Sequence, residues 1–254
     1  MRGLVLATAN RGKAEELREL LRNASLTGQE SALGALEHGM DLSQADIRTL
    51  ADYPELPAVE ETGTTFAENA LLKARAAWQG TGLPALADDS GLEIDVLNGA
   101  PGVYSARFAG VGRDDEANIR KVLSLLGDTP PEKRTARFQC ALAFVGLPEQ
   151  LHSNRPEQEA GMTPGYTGSG GALIPGSGGS LIPGSGEYVV VGSFEGVIIS
   201  EKRGSFGFGY DPIFYIPERT LTLAQLLPRE KNAISHRARA FAQILPILCA
   251  YLGG

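Results

Sequence analysis

The chain has 254 residues, with 23 Lys and Arg against 30 Asp and Glu, so its formal charge is −7, and 43% of it is hydrophobic. That balance suits a soluble globular protein long enough to bury a sizeable core, and it argues against a nucleic-acid binder that tracks phosphates with a basic face. The longest apolar run, Ile244 to Leu252, holds nine residues with Pro246 among them, too few to span a bilayer.

Residues 4–9 form the only apolar stretch near the start, shorter than a signal-peptide core, and Arg11 and Lys13 follow. Two cysteines, Cys140 and Cys249, make neither a disulfide framework nor a cysteine-based zinc site. His38, His152 and His236 show no metal-ligand spacing. The expectation is a cytoplasmic α/β protein without a membrane or nucleic-acid partner.

In chain order, residues 3–9 read as an apolar strand, and Lys13 to Asn23 as a helix with Leu17, Leu20 and Leu21 on one face. Residues 25–58 show no clear period and read as a strand or two with loops. Thr62 to Thr65 supplies helix-start hydroxyls before a helix from Phe66 to Gln79. The run Leu83 to Ala87 is expected to stop at Asp88-Asp89-Ser90-Gly91, and a second, half-buried strand follows through Leu92, Ile94 and Val96. Asp114 to Leu126 predicts a helix closed by Gly127. Ala136 to Val145 and Tyr188 to Ser200 predict two strands, and a last helix runs from Ser235 toward Leu252, disturbed at Pro246.

Between those two strands lies a Gly/Ser/Pro-rich segment, about 151–186. It contains GALIPGSG (171–178) and GSLIPGSG (179–186), identical at seven of eight positions. Two copies are too few for a solenoid, so the segment is expected to be a flexible insertion in a hairpin.

Five polar constellations are candidates for chemistry. Thr8-Ala9-Asn10-Arg11-Gly12-Lys13 is a turn between the first strand and first helix, where free backbone N–H groups and the helix dipole favour a phosphate. It is not a P-loop, since positions 7 and 14 are alanine. Asp88-Asp89 lies at a strand end, with Glu60-Glu61 ahead of the second helix. Strand alternation turns only one of Asp88 and Asp89 toward a cleft, and Mg²⁺ accepts a site of few carboxylates completed by water. Asn69 and Lys73 share a helix face at i, i+4. Gly204 to Pro212 alternates glycine with aromatics, a pattern that can wall a planar base. Lys231 and Ser235-His236-Arg237 stand at the start of the last helix, Ser235 as its N-cap. Each constellation alone also has an ordinary structural explanation.

Taken together and in order, TANRGK (8–13), EETGTTFAENALLKA (60–74), ADDSGLEIDVLNGAPGVYSARFAG (87–110), GFGYDPIF (207–214) and EKNAISHR (230–237) resemble the inosine triphosphate pyrophosphatase, or Ham1-like, family. The resemblance covers most of the chain outside 24–58 and 150–186. It implies a single α/β domain over 1–254, a two-lobed structure around a long mixed β-sheet with flanking helices, the active-site cleft lying between lobes. It also implies a homodimer that hydrolyses ITP, dITP and XTP to the monophosphate and pyrophosphate. By resemblance, Thr8, Ala9, Asn10, Arg11, Gly12 and Lys13 hold the triphosphate with Lys73. Glu60 and Asp89 position Mg²⁺, and Asp89 is the general base. Ser90 touches substrate, while Phe208, Gly209, Tyr210 and Asp211 wall the base. Lys231, His236 and Arg237 contact base carbonyl oxygens.

The chemistry agrees with that assignment, because phosphoanhydride hydrolysis needs charge neutralised on the phosphates and a base for water. Two rival readings are a non-hydrolysing nucleotide-binding module and a Maf-like pyrophosphatase for other modified nucleotides. The Glu60/Asp89 acids weigh against the first, and the Ser-His-Arg helix start against the second.

Overall fold

A strand, a polar turn and a helix open the fold: β1 (Gly3–Leu6) leads into α1 (Arg11–Leu26). The structure is a computed structural model that describes residues 2–26, 45–112, 114–146, 172–173, 180–182 and 186–252. Helix α1 runs three residues past Asn23, and β2 (Asp46–Thr49) pairs in parallel with β1. The rest of the strand-and-loop expectation for this region, 27–44, lies outside the described residues.

Helix α2 (Phe66–Thr81) starts on a capping box, in which Thr65 Oγ1 accepts from Glu68 N while Glu68 accepts from the Thr65 amide. It stops at Gly82, whose φ of +70° favours glycine. Then comes the main departure from sequence expectation. Strand β3 (Ala85–Ile94) is one unbroken element that passes straight through Asp88-Asp89-Ser90-Gly91. Strand β4 (Thr135–Val145) pairs across all four, with Asp88 opposite Leu142 and Asp89 opposite Ala141. The polar run does not end the strand because buried cations meet its carboxylates.

Helix α3 (Asp115–Leu126) is capped by the Asp114 side chain. After β4 come the short strands β5 (Ala172–Leu173) and β6 (Ser180–Ile182), then β7 (Glu187–Ile198). Apart from these two short strands and Gly186, the expected flexible insertion lies outside the described residues. Three further elements carry no clear sequence signal: β8 (Phe214–Ile216), β9 (Leu221–Thr222) and α4 (Pro228–Ile234). Helix α5 (His236–Leu252) follows Ser235, whose Oγ accepts from Ala238 N, and continues through Pro246.

The main path of the mixed sheet is β2-β1-β3-β4-β7-β6-β5, with β8 and β9 attached through β7. One end is packed on both faces, with Leu17, Leu21, Ile244 and Leu248 of α1 and α5 against Leu86, Leu142 and Phe144. Ala70, Ala74 and Ala77 of α2 meet Ala87, Ala141 and Ala143 on the other face, and their small side chains let helix and sheet approach closely. A second lobe gathers Ile119 and Val122 of α3 with Leu92, Phe138 and Phe214. Strand β1 pairs with β3 only through Ala85 and Leu86. Beyond that point no strand pairs with this edge of β3; the 99–105 segment bridges its far end at Leu92 to Ile94, and the α1 turn and the second lobe meet between. No described helix is long and apolar enough to cross a membrane.

Candidate active site

Consecutive residues on a strand point to opposite faces, and Asp88 and Asp89 follow that rule. Asp88 points to the α1/α5 face and is wholly buried. Its Oδ1 lies 2.7 Å from Lys13 Nζ, and its Oδ2 accepts from Arg237 Nε at 3.0 Å and from the Cys140 thiol at 2.9 Å. Burial alone would raise its carboxyl, but Arg237 and Lys13 outweigh burial and hold it well below the usual range. Asp88 is a hub for two cations and a thiol, and its oxygens are taken.

Asp89 points to the α2 face. Lys73 Nζ lies 2.7 Å from its Oδ1, while Oδ2 is buried and has no hydrogen-bond partner among the described residues. Burial pushes its carboxyl up, further than Lys73 pulls it down. Lys73 also meets Glu61 Oε1 at 3.1 Å, and Glu61 Oε2 accepts from Arg107 at 2.8 Å. Burial opposes the Lys73 charge, yet Asp89 and Glu61 raise its value above the ordinary.

The turn after β1 forms the neighbouring wall. Asn10 Oδ1 accepts from Lys13 N at 3.1 Å, and Thr8 Oγ1 accepts from Asn10 N at 3.2 Å, so the first turn of α1 is closed by side chains. A Cβ on Gly12 would sit 3.0 Å from the Phe208 ring, so a larger residue would push that ring aside. The first helical turn is thereby packed against the glycine-aromatic loop. Arg11 instead projects into solvent and pairs with Glu15, and Ala9 is exposed.

In the glycine-aromatic loop, Asp211 Oδ2 accepts from Phe208 N at 2.9 Å and from Lys231 Nζ at 2.6 Å. Lys231 is only 3% exposed, lies 4.5 Å from the centre of the Phe208 ring, and meets Glu16 Oε1 at 3.0 Å. Tyr210 turns inward and donates its hydroxyl to Ser105 O at 2.8 Å. Gly209 has a φ of +62° and donates its amide to Asp115.

Arg237 is 1% exposed and fully engaged: beyond Asp88 it pairs with Glu16 and donates to Ser90 Oγ at 2.9 Å. His236 stacks on Phe138 with ring centres 4.9 Å apart, and its Nδ1 is buried without a partner among the described residues. Burial, then the nearby Arg237 and Lys231 charges, holds its imidazole well below the ordinary value. Those causes favour the neutral ring.

The structure brings together Thr8, Asn10, Gly12, Lys13, Ser90, Asp211, Lys231 and Arg237 on one side of β3, with Lys73 and Asp89 on the other. Two placements differ from the sequence expectation. Glu60 is exposed and makes no side-chain hydrogen bond or ion pair among the described residues, whereas Glu61 joins Asp89 through Lys73. The segment holds no regular element, and its packing turns Glu61 inward onto Lys73 and Arg107. Arg237 does not project from the helix mouth, because Asp88, Glu16 and Ser90 hold its guanidinium inside. Sequence reasoning also missed Glu16 and Arg107. Glu16 lies one helical turn after Lys13, a spacing that puts both on one face of α1.

Among the described residues no group of three or more His, Cys, Asp or Glu could hold a metal ion. The unpartnered Asp89 Oδ2 and nearby Glu61 still fit a hard cation that keeps waters and takes substrate oxygens, as Mg²⁺ does.

A family model described as "Ham1 family" matches residues 4–171 and 179–247. The chain is 41% identical to a protein of Listeria innocua called dITP/XTP pyrophosphatase, over 96% of this chain and 93% of that protein. It is 41% identical to one of the same name from Streptomyces coelicolor, over 100% of both chains. Among solved structures it resembles a HAM1 protein from Coxiella burnetii, with a TM-score of 0.68, 38% identity and coverage of 98% and 100%. It also resembles the Staphylococcus aureus Ham1 protein, with a TM-score of 0.68, 33% identity and coverage of 97% and 98%.

Proposed function

Since the chain belongs to the Ham1 family, we propose that it hydrolyses ITP, dITP and XTP between the α and β phosphates in a Mg²⁺-dependent reaction, releasing pyrophosphate. The observation that carries this reading is the half-satisfied carboxylate of Asp89. Lys73 fixes one oxygen, and the other is buried, unpartnered and available to a cation or a water. Asp89 and Glu61 are the residues that would hold Mg²⁺. The ion supplies charge neutralisation on the phosphates and a more acidic water.

The chain's own residues do the rest. Side chains take the Asn10 and Lys13 amides, so the first turn of α1 offers a phosphate its dipole and the Arg11 and Gly12 amides, and Lys13, held by Asp88, adds a fixed positive charge at its base. Asp89 takes the proton of the attacking water, because its unpartnered Oδ2 is the acceptor that Lys73 leaves free. Lys73 keeps that carboxyl oriented. The base lies against the loop from Gly207 to Asp211, where Phe208 gives a flat face and Lys231 a donor. A donor aimed at a 6-oxo group discriminates against adenine, whose amino group leaves that donor unpaired. His236 and Arg237 support this end by packing and by holding Ser90.

The test is pyrophosphate release from a panel of ITP, dITP, XTP, ATP and GTP, with and without EDTA. Turnover confined to the deaminated purines and abolished by EDTA supports the reading; equal turnover of ATP, or none of any triphosphate, defeats it. The same reading includes a cytoplasmic homodimer, whose mass light scattering checks.

A further inference from the structure

Four charges surround the Asp89 side of the site: the acids Asp89 and Glu61, and the cations Lys73 and Arg107. They balance, yet they are not equally held. Lys73 is gripped by both acids, whereas Arg107 is tied among the described residues to Glu61 alone. Arg107 also has the most exposed side chain of the four, at 30% against 19% for Glu61, 12% for Lys73 and 8% for Asp89. It ends the 3₁₀ helix Gly102–Arg107, which packs on the stretch of the β3 edge that no strand pairs. That helix is pinned by Ser105, whose Oγ accepts from Leu92 N at 2.9 Å. The backbone under Arg107 is therefore fixed while its guanidinium reaches solvent, resting on the Tyr104 ring at 5.3 Å.

A divalent cation beside Asp89 and Glu61 adds positive charge to a cluster already neutral. One of the resident cations must give up its acid, and the singly tied, solvent-reaching one gives it up at least cost. A triphosphate arriving with the metal offers new acceptors, and the planar guanidinium fork matches phosphate oxygens.

We infer that Arg107 is an exchangeable counter-ion, which pairs with Glu61 before substrate binds and transfers to the triphosphate when the metal takes Glu61. The inference rests on the pyrophosphatase reading above and adds a substrate-gripping residue to it.

The test compares the wild type with Arg107→Ala and Arg107→Lys in two binding measurements, neither of which needs turnover. The first is Mn²⁺ binding without nucleotide, followed by electron paramagnetic resonance of the free ion. The second is calorimetric binding, with Mn²⁺ present, of an ITP analogue carrying a methylene bridge between the α and β phosphates. Arg107→Ala should bind Mn²⁺ alone about threefold more tightly, because Glu61 loses a competing cation, yet bind the analogue about tenfold more weakly. Arg107→Lys should fall between the two in both measurements, since it keeps the charge but not the fork. Opposite signs are the signature, because a purely structural role would weaken both ligands together and lower the melting temperature. Mn²⁺ affinity that is unchanged or reduced in Arg107→Ala, or unchanged analogue affinity, overturns the inference. Should the wild type fail to hydrolyse ITP, the functional reading falls by itself, and the Mn²⁺ measurement still decides whether Arg107 competes for Glu61.

Discussion

Asp88 and Asp89 are neighbours on β3, yet they serve opposite faces of the sheet: Asp88 holds Lys13 and Arg237, while Asp89 holds Lys73. The division separates two jobs. The first carboxylate is spent on structure, tying α1 and α5 to the central strand. The second keeps one buried oxygen unpartnered among the described residues, which the proposed reaction uses.

Asp88→Asn is accordingly a stability variant first. It leaves Lys13 and Arg237 facing a neutral amide, and breaking a buried ion pair costs about 3–5 kcal/mol. The melting temperature is expected to fall by about 10 °C, measured by circular dichroism. At a temperature where the variant is folded, kcat for ITP should fall less than in Asp89→Asn. An unchanged melting temperature would contradict the hub.

Glu16 is the shared partner of Lys231 and Arg237. Two cations from the last two helices, at the proposed base end, thus converge on one carboxylate of α1, at the proposed phosphate end. Both cations favour the charged form of Glu16 strongly enough to overcome burial, and its carboxyl lies below the usual value. Glu16→Gln leaves Asp211 as the one acid on Lys231 among the described residues and changes how its ammonium sits under the Phe208 ring, so discrimination should suffer more than turnover. The ratio of kcat/KM for ITP over ATP is expected to drop about tenfold. Equal losses on both substrates would show that Glu16 has no part in base selection.

His236 makes stability depend on pH. Its imidazole is held well below 6.5 in the folded protein, so the unfolded chain takes up a proton that the native one refuses. The stability tied to the neutral ring is complete above pH 6.5 and is lost as the pH falls below that value, at about 1.4 kcal/mol per unit. Phenylalanine keeps the stack on Phe138 and does not titrate. Between pH 7.5 and 5.5, denaturant unfolding of the wild type should lose about 1.4 kcal/mol more than that of His236→Phe. Parallel losses would mean that His236 is protonated in the native state.

Much of this was legible in the sequence, and the failures have physical causes. Caps carry local signals, so Thr65, Asp114 and Ser235 mark their helices correctly, and alternation separates Asp88 from Asp89. The same alternation leaves Glu60 and Glu61 indistinguishable, because the phase of an irregular segment is set by what it packs on. The unbroken β3 is hidden because four polar or small residues read as a turn until their cations, brought from α1, α2 and α5, are in place. Glu16 is hidden for a similar reason: a carboxylate on an amphipathic helix reads as solvated until distant Lys231 and Arg237 fold over it. Arg237 reads as a projecting donor because nothing local announces Asp88, which lies 149 residues away.

The most direct test of the account is the rate of pyrophosphate release from ITP and Mg²⁺ by Asp89→Asn beside the wild type. Asparagine keeps the size and a hydrogen bond but loses the charge and the basicity, and a positioned base contributes about 10²–10⁴-fold. With circular dichroism confirming the fold, kcat is predicted to fall at least about a hundredfold. A folded Asp89→Asn protein that keeps kcat within a few-fold of the wild type would contradict the assignment of Asp89 as the base.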